Sequence, residues 1–328
     1  MAEVTYLEAI NQALQEEMSR DPKTVIFGED VGGDKGGVFG ATKELAEQFG
    51  DHRVFNSPLG ESEIAGLAVG LGIMGHRAIA EFQFADYILP AVNQIMSEAA
   101  KMRYRTAGDY TVPVVFRTPY GGGVRGGFYH SQSTEKIFVG QPGLRVVTPS
   151  TVYDAKGLLK AAIRSDDPVL FYEHKRLYRA LKAELPTTDY TVDLDKAKVV
   201  REGSDLTIFA YGMMMQYALA ASEELANQGV SVEVVDLVSL YPLDKTTIIQ
   251  AAKKTGKVLL ITEDTKEGSV MNNVSALIAE EALFELDAPI KILAGPDSPS
   301  MPYAKNLEDA FLVNQADVTQ AVTELAEF

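Results

Sequence analysis

Short apolar runs alternate with amphipathic segments along the first half of the chain. Helical patterns cover residues 5–20, 43–49 and 90–105, and a further apolar helix is predicted after Glu61. Nearly continuous apolar runs stand between them and read VIFGED, RAIAEFQF, PVVFRTP, LRVVTPS and PVLFYEH, with the amphipathic TVYDAKGLLKAAIRS separating the last two. Apolar strands alternating with helices are typical of a mostly parallel sheet covered on both faces. The first half is therefore predicted to be an α/β domain.

A polar stretch interrupts this alternation between residues 181 and 205. It is rich in threonine, contains one proline, and is predicted to connect two domains. Alternation then resumes, with the runs DLTIFAYG, VSVEVVDLVSL, KVLLITED and PIKILAG separated and followed by helical patterns. We expect an α/β fold of two domains, each a mostly parallel sheet flanked by helices, at residues 1–185 and 206–328, with a linker at 186–205.

Composition excludes several classes of protein. The chain is 46% hydrophobic and 23% charged, as in globular proteins. Its longest uncharged apolar run, residues 64–75, is shorter than the ~18–20 residues that span a membrane. The first residues, MAEVTYLEAINQALQEE, are acidic and amphipathic and resemble no targeting peptide. There is no cysteine, and four widely spaced histidines do not indicate a metal site. We expect a cytoplasmic protein that does not enter the membrane.

The net charge of −16 argues against nucleic-acid binding, which depends on neutralising phosphates. Residues 206–328 carry most of it, with 18 acidic residues against seven lysines and no arginine, or −11. A surface of one sign keeps a protein soluble, and it also attracts a basic partner. Both explanations stay open at this stage.

Two long loops are rich in glycine, GEDVGGDKGGVFG at residues 28–40 and PYGGGVRGGFYHSQS at 119–133. The second contains the spacing of a dinucleotide-binding fingerprint after a predicted strand. No helix is predicted to begin there, so the match is weak. The chain has neither a phosphate-binding P-loop nor the GxSxG of a serine hydrolase. The histidine of the second loop, His130, is either a solvated side chain or a catalytic one.

Two acids precede the apolar run IAGLAVGLGIMG, in the segment NSPLGESEIAG. Glu61 and Glu63 lie two positions apart, so on a helix at most one of them is expected to point inward. A carboxyl group held against apolar surface can exchange a proton near neutral pH. The structural alternative is that both acids simply stabilise the positive end of a helix that opens near residues 57–58.

Taken together, five stretches resemble one family: SPLGESEIAG, EFQFADYILPAVNQIMSEAAKMRYR, GGGVRGG with YHSQS, QPGLRVVTPS with DAKGLLKAAIR, and GPD with MPYA. The resemblance is to the β subunits of thiamine diphosphate-dependent 2-oxo acid dehydrogenases and runs almost from end to end. FQFADYILPAVNQI and YHSQS are more similar to the branched-chain (2-oxoisovalerate) type. This resemblance implies a pyrimidine-binding domain followed by a transketolase C-terminal-like domain.

The resemblance also implies roles for individual residues. Glu61 matches the glutamate that hydrogen-bonds the aminopyrimidine ring of thiamine diphosphate and exchanges a proton with it, whereas Glu63 has no such counterpart. Leu59, Gln83 and Tyr87 match residues that line or stack on this ring. His130 matches an active-site histidine that assists acyl transfer to a lipoyl arm. A potassium site of the family corresponds to the segment from Ile163 to Asp167, where the sequence departs from the usual pattern.

The partners follow from the same resemblance. Thiamine enzymes hold magnesium and the diphosphate with a GDG motif followed by asparagine, and this chain has no GDG. The family's α subunit supplies that half, in a two-plus-two heterotetramer active only when complete. The acyltransferase core binds through its subunit-binding and lipoyl domains. The implied reaction is the oxidative decarboxylation of branched 2-oxo acids, a step of branched-chain amino acid catabolism.

Two other functions compete with this interpretation. The nearest is the pyruvate or acetoin enzyme of the same family, which differs in substrate. The other is a non-catalytic subunit that uses the fold only for assembly. A scaffold needs neither Glu61 nor His130, so their joint presence favours an enzyme.

Overall fold

The computed structural model describes residues 3–328, which divide into two compact units. Unit 1 comprises Met1–Tyr120 and Gly140–Leu194, and unit 2 comprises Gly121–Val139 and Asp195–Phe328. The division after Leu194 falls inside the predicted linker. The glycine-rich segment Gly121–Val139 belongs to unit 2, although it lies between two strands of unit 1 in the sequence.

Unit 1 is built on a parallel sheet. Strands β6, β7, β5, β4, β2 and β3 lie side by side in that order, and every neighbouring pair is parallel. The separate strands β1 and β8 form a short antiparallel pair. The bounds are β1 Val4–Thr5, β2 Thr24–Gly28, β3 Val54–Asn56, β4 Arg77–Glu81, β5 Val114–Tyr120, β6 Arg145–Val147, β7 Val169–His174 and β8 Lys182–Ala183. Strands β2, β5 and β7 are buried along their whole length, as their continuous apolar runs predict.

Local sequence signals account for the helices of unit 1. Thr5 caps the first helix: its hydroxyl accepts a hydrogen bond from the Glu8 backbone N–H, and the Glu8 carboxylate accepts one from the Thr5 backbone N–H. Thr151 caps the helix after β6 through its hydroxyl, which accepts a hydrogen bond from the N–H of Asp154. The α-helices are α1 Tyr6–Arg20, α2 Leu45–Phe49, α3 Glu61–Ile73, α4 Met102–Arg105, α5 Val152–Arg164 and α6 Leu177–Ala180.

The predicted helical stretch at residues 90–105 is present, but it is not one regular α-helix. A 3-10 helix, Ala85–Ala91, leads into a π-helix, Gln94–Ala99, and then into α4. Pro90 has no N–H to donate and disfavours the α conformation of Leu89, which accounts for the 3-10 start, and the departure after it is the π-helix Gln94–Ala99. The helix expected to open near residues 57–58 begins later, at Glu61 after extended backbone at Gly60, and both Glu61 and Glu63 lie in its first turn.

Unit 2 has a second, smaller sheet. Strands β14, β13, β10 and β11 lie in that order and run parallel, and β9 adds an antiparallel edge beside β11. The strands are β9 Lys198–Arg201, β10 Leu206–Ala210, β11 Val232–Asp236, β12 Ser239–Tyr241, β13 Val258–Thr265 and β14 Lys291–Gly295. The helices are α7 Met214–Ala226, α8 Lys245–Thr255, α9 Val270–Ala282, α10 Lys305–Phe311 and α11 Gln315–Ala326. The predicted fold of two mostly parallel α/β sheets is confirmed.

None of the helices found in residues 3–328 combines the length and the apolar character needed to cross a membrane.

Candidate active site

The candidate site of unit 1 lies where its parallel strands end. Strand β2 stands between β3 and β4, so the chain turns to one side of β2 to form β3 and to the other side to form β4. Such a reversal leaves a crevice at the carboxyl ends of the strands, which is where open α/β sheets bind ligands. The segments that follow β2, β3 and β4 carry Glu29, Glu61 and Gln83.

The structure distinguishes Glu61 from Glu63. Glu61 is the first residue of α3 and is half-buried, whereas Glu63 is exposed. Ile64 and Ala65, which follow in the same helix, are fully buried. The helix N-terminus also favours a negative charge at Glu61. Of the two acids, Glu61 is therefore the one that lies against the protein.

Glu29 is a site residue that the sequence reasoning did not single out. It follows β2 directly, and its Oε1 is buried without a hydrogen-bond partner. Burial raises the pKa of the Glu29 carboxyl, the negative charges of Glu61 and Asp30 raise it further, and a hydrogen bond from the Gly60 backbone opposes the shift. The sequence feature that could have indicated this residue is the pair of acids in GED, directly after an apolar strand. A second carboxyl group thus lies close enough to Glu61 to influence it.

The three ring-binding residues predicted from the sequence lie at the same edge of the sheet. Leu59 precedes α3 and is 83% exposed, so it offers apolar surface to whatever binds there. Gln83 and Tyr87 follow β4 and are half-buried. The 3-10 helix that contains Tyr87 packs against α3, and the Ser62 hydroxyl donates a hydrogen bond to the Pro90 carbonyl at 2.5 Å.

A chain of aromatic rings holds Tyr87 in place. Its ring meets Phe84 edge-on at 5.6 Å between centroids, and Phe84 meets Phe39 at the same distance. Phe39 in turn contacts Tyr178, whose ring lies 6.0 Å from Tyr6 in α1. Edge-to-face pairs of this kind add to the stabilisation from burial. Tyr87 is therefore connected to the core of unit 1 through packed rings.

A buried ion network lies under the end of β4. Arg117 donates to Glu81 at 2.7 Å and to both oxygens of Glu173 at 2.7 and 2.8 Å, and the Tyr178 hydroxyl donates to Glu173 at 2.7 Å. All four side chains are at least 96% buried. Burial raises the pKa of Glu81, which the charge of Arg117 opposes. The network fixes the strand end from which Gln83 projects.

His130 belongs to the other unit. It follows a single 3-10 turn, Gly127–Tyr129, and is half-buried. No α-helix begins in this loop, so its glycine spacing does not form a dinucleotide-binding site. The structure thus brings Leu59, Glu61, Gln83 and Tyr87 to one sheet edge in unit 1 and assigns His130 to unit 2.

In the segment predicted to bind potassium, the oxygens already accept hydrogen bonds from arginine side chains. The Arg77 guanidinium donates to the carbonyls of Ile163 and Ser165 at 2.9 Å each. The Asp167 carboxylate accepts from Arg103 at 2.5 Å. Because these oxygens already face positive charge, the residues of this turn do not fit a further cation. Residues 3–328 also contain no group of three acidic or histidine side chains arranged to hold a metal ion.

Comparison with known proteins identifies the family of the chain. The transketolase pyrimidine-binding domain family matches residues 2–180, and the transketolase C-terminal domain family matches residues 195–318. The chain is 60% identical to a 2-oxoisovalerate dehydrogenase subunit beta of Bacillus subtilis (strain 168), over 100% of both proteins. It is 44% identical to a pyruvate dehydrogenase E1 component subunit beta of the same strain, again over 100% of both. The chain belongs to the family of 2-oxo acid dehydrogenase β subunits. The family predicted from the sequence is confirmed.

A solved structure supports the fold of this β subunit. The chain resembles a split-gene transketolase, described as an inactive β4 tetramer, with a TM-score of 0.80 over 99% of this chain and 98% of the other. The two sequences are 24% identical, so this likeness shows the fold alone. Membership of this family also makes thiamine diphosphate the cofactor to test against the site.

The aminopyrimidine part of thiamine diphosphate fits the residues present. Glu29 Oε1 is a buried acceptor without a partner, Glu61 is accessible at the helix start, and Leu59 exposes apolar surface. A flat heterocycle with ring nitrogens and an amino group matches such a mixture of apolar surface and carboxyl groups. The residues of the candidate site therefore suit this cofactor.

Proposed function

We propose that this chain is the β subunit of a branched-chain 2-oxo acid dehydrogenase, with 3-methyl-2-oxobutanoate as a substrate. Together with an α subunit it decarboxylates branched 2-oxo acids oxidatively and acylates the lipoyl group of an acyltransferase core. The observation that carries this proposal is full-length identity of 60% to a 2-oxoisovalerate subunit against 44% to a pyruvate subunit. The half-buried Glu61 at the sheet edge gives it a chemical basis.

Bound thiamine diphosphate supplies an electron sink for decarboxylation. The proposed task of Glu61 is to hold and exchange a proton with a nitrogen of the aminopyrimidine ring. It lies half-buried at the first position of α3, where it is held in place while one side of the carboxyl group stays open to a ligand. Glu63 is exposed and has no such task.

Three further side chains are proposed to orient the ring. Leu59 would offer its exposed apolar surface to the ring, and Tyr87, in the 3-10 helix after β4, would offer its aromatic ring. Gln83 offers an amide for hydrogen bonding, and its Nε2 lies 3.4 Å from Asp30 Oδ2. Residues held by packed neighbours lose little freedom when a ligand binds, which favours affinity.

The magnesium ion and the diphosphate are proposed to be held by the α subunit. The chain has no GDG motif, and residues 3–328 offer no metal-binding cluster. The cofactor then requires both subunits, in a two-plus-two heterotetramer. No potassium ion is proposed near Ile163 and Asp167, because Arg77 and Arg103 already donate to the oxygens there.

Acyl transfer to lipoyl groups is proposed to involve His130. The imidazole stands in a loop between exposed aromatic side chains, Phe128 and Tyr129, and the buried Ser131. Such a position gives a bulky lipoyl domain access to the histidine. The acidic unit 2 is proposed to bind the basic subunit-binding domain of the acyltransferase.

The deciding experiment is co-expression with the α subunit, followed by measurement of decarboxylation of 3-methyl-2-oxobutanoate and of pyruvate. We expect kcat/KM at least tenfold higher for the branched acid, and no turnover by the chain alone. A preference for pyruvate would replace the proposal with the pyruvate enzyme. If a complex assembles but turns over neither of these acids nor acetoin, the non-catalytic assembly subunit is correct.

A further inference from the structure

Two buried carboxylates hold the glycine-rich loop of unit 2 by its backbone. Glu308 Oε1 accepts hydrogen bonds from the N–H groups of Gly123 and Arg125, both at 3.0 Å. Glu263 Oε1 accepts one from the N–H of Gly122 at 2.5 Å. Both acids are at least 96% buried. Three N–H groups within four residues therefore converge on carboxylate oxygens of the same unit.

These hydrogen bonds hold the loop in an unusual conformation. Gly123 and Arg125 both have positive φ, 77° and 58°. A positive φ is strained for a side-chain-bearing residue such as Arg125, so surrounding contacts must maintain it. Backbone N–H groups in such turns form a concavity that binds anions. In this protein the anion is the carboxylate of Glu308 itself.

The segment just before α10 holds the other end of the same loop. Gln132 Nε2 donates to the Ser300 hydroxyl at 2.7 Å, and Ser300 lies 3.3 Å from the Phe128 carbonyl. The Tyr303 ring packs on Gly127, where a Cβ atom would come within 2.5 Å of it. Residues 300–308 thus contact the loop on both sides of His130. The loop backbone is fixed from one continuous segment.

We propose that Glu308 is a positioning residue for His130. Its carboxylate holds the backbone at residues 123–125, and the contacts around Ser300 and Tyr303 hold it at 127–132, so the imidazole is presented at a fixed place. This inference rests on the proposed role of His130 in acyl transfer. It assigns a function to residues 300–308 of unit 2, which is to hold the backbone of the loop that carries His130.

The chemistry predicts a graded response at this position. Glu308→Ala leaves the N–H groups of Gly123 and Arg125 without this acceptor and removes support from the strained backbone of Arg125. Glu308→Gln keeps an acceptor oxygen in a similar position and loses only the charge. It should therefore retain most of the acyl-transfer activity that Glu308→Ala loses. Asp309 is the matched control: it is the next residue of α10, more than half exposed, and paired with Lys305.

The test uses the complete heterotetramer and two measurements. Acyl transfer to a lipoylated domain and decarboxylation with an artificial electron acceptor are compared in Glu308→Ala, Glu308→Gln, Asp309→Ala and wild type. We expect Glu308→Ala to lower kcat for acyl transfer at least tenfold while decarboxylation changes less than threefold. Glu308→Gln should lie within threefold of wild type in both assays, as should Asp309→Ala.

Hydrogen exchange of the peptide 121–133, measured in the same complexes, separates this inference from the proposed function. Glu308→Ala should speed exchange of this peptide, and Asp309→Ala should not. Unchanged exchange, or equal losses in both assays, would overturn the positioning role. If exchange speeds up while His130→Ala leaves acyl transfer intact, the loop contact stands and the role of His130 is wrong, so Glu308 positions no catalytic group.

Discussion

Arg117 donates two parallel hydrogen bonds to Glu173 across neighbouring strands, from Nε to Oε1 at 2.7 Å and from Nη2 to Oε2 at 2.8 Å. A third hydrogen bond runs from Arg117 Nη1 to Glu81 Oε2 at 2.7 Å. One buried guanidinium thus faces two buried carboxylates, and the Tyr178 hydroxyl supports one of them. The arrangement is stable only while the arginine is present.

Arg117→Ala should therefore destabilise unit 1 strongly. It leaves two carboxylates buried without a counter-charge, which typically costs about 3–5 kcal/mol in the free energy of unfolding. Denaturant unfolding followed by a probe in unit 1 measures this. The control is Arg105→Ala. The Arg105 side chain is 60% exposed and pairs with Glu98 at 3.4 Å, so its removal should lower the free energy of unfolding by less than about 1 kcal/mol. Equal small losses in both variants would contradict the prediction.

Glu61→Gln should nearly abolish decarboxylation while the heterotetramer still assembles. The amide keeps the volume of the side chain but cannot exchange the proton. Loss of a positioned acid–base group lowers rates by ~10²- to 10⁴-fold. Steady-state decarboxylation of 3-methyl-2-oxobutanoate measures the effect, with the exposed Glu63→Gln as the control. Activity within threefold of wild type in an assembled Glu61→Gln complex would refute the role of Glu61.

His130→Ala should impair acyl transfer more than decarboxylation. The imidazole lies on the loop of unit 2, whereas the proposed proton exchange belongs to Glu61 in unit 1. An assay with lipoylated domain is compared with one that uses an artificial electron acceptor. We expect the first to fall ~10²-fold or more, as for other positioned acid–base groups. Val124→Ala, which changes a 43% exposed side chain of the same loop, serves as the control, and parallel losses in both assays would contradict a specific role.

Glu135 should make the stability of unit 2 depend on pH. Burial, with the negative charges of Asp264 and Glu263, raises the pKa of this carboxyl from 4.5 to about 8. Between these values the folded state holds a proton that the unfolded state has lost, so stability falls as pH rises. The stability gained from the neutral Glu135 carboxyl is fully present below pH 4.5 and is lost as the pH rises through 8.

The measurement is unfolding of unit 2 between pH 5 and 9, in wild type and in Glu135→Gln. Because one proton is involved, the free energy of unfolding can fall by at most about 1.4 kcal/mol per pH unit. The amide stays neutral, so Glu135→Gln should flatten this part of the profile. The exposed Glu267→Gln should leave it unchanged. An identical slope in Glu135→Gln would assign the pH dependence to other groups.

Association with the acyltransferase should slow as the salt concentration rises. Residues 206–328 carry a net charge of −11, and electrostatic attraction mainly sets the rate of association. Surface-plasmon kinetics with the isolated subunit-binding domain, at low and high salt, measure this rate. Glu324 already pairs with Lys291, so Glu327→Gln is the cleaner test of the last helix. A rate indifferent to salt would leave the charge with a solubilising role.

Much of the fold could be predicted from local sequence. The N-terminal helix begins where Thr5 and Glu8 form their reciprocal cap, a signal contained in four residues. The strands of both sheets appear as apolar runs because their side chains are buried on two faces. The resemblance of several short motifs also identified the family, and with it Glu61 as the acid to examine.

Tertiary structure decided what depends on residues far apart in the chain. Glu81, Arg117 and Glu173 meet because parallel strands place their ends together, although 36 and 56 residues separate them. The burial of Glu29 beside Glu61 has the same origin. The glycine-rich loop lies between two strands of unit 1 in sequence, yet Glu263 and Glu308 bind its backbone within unit 2. Periodicity reports which face of an element is apolar, whereas hydrogen bonds to backbone N–H groups leave no pattern in the side-chain sequence.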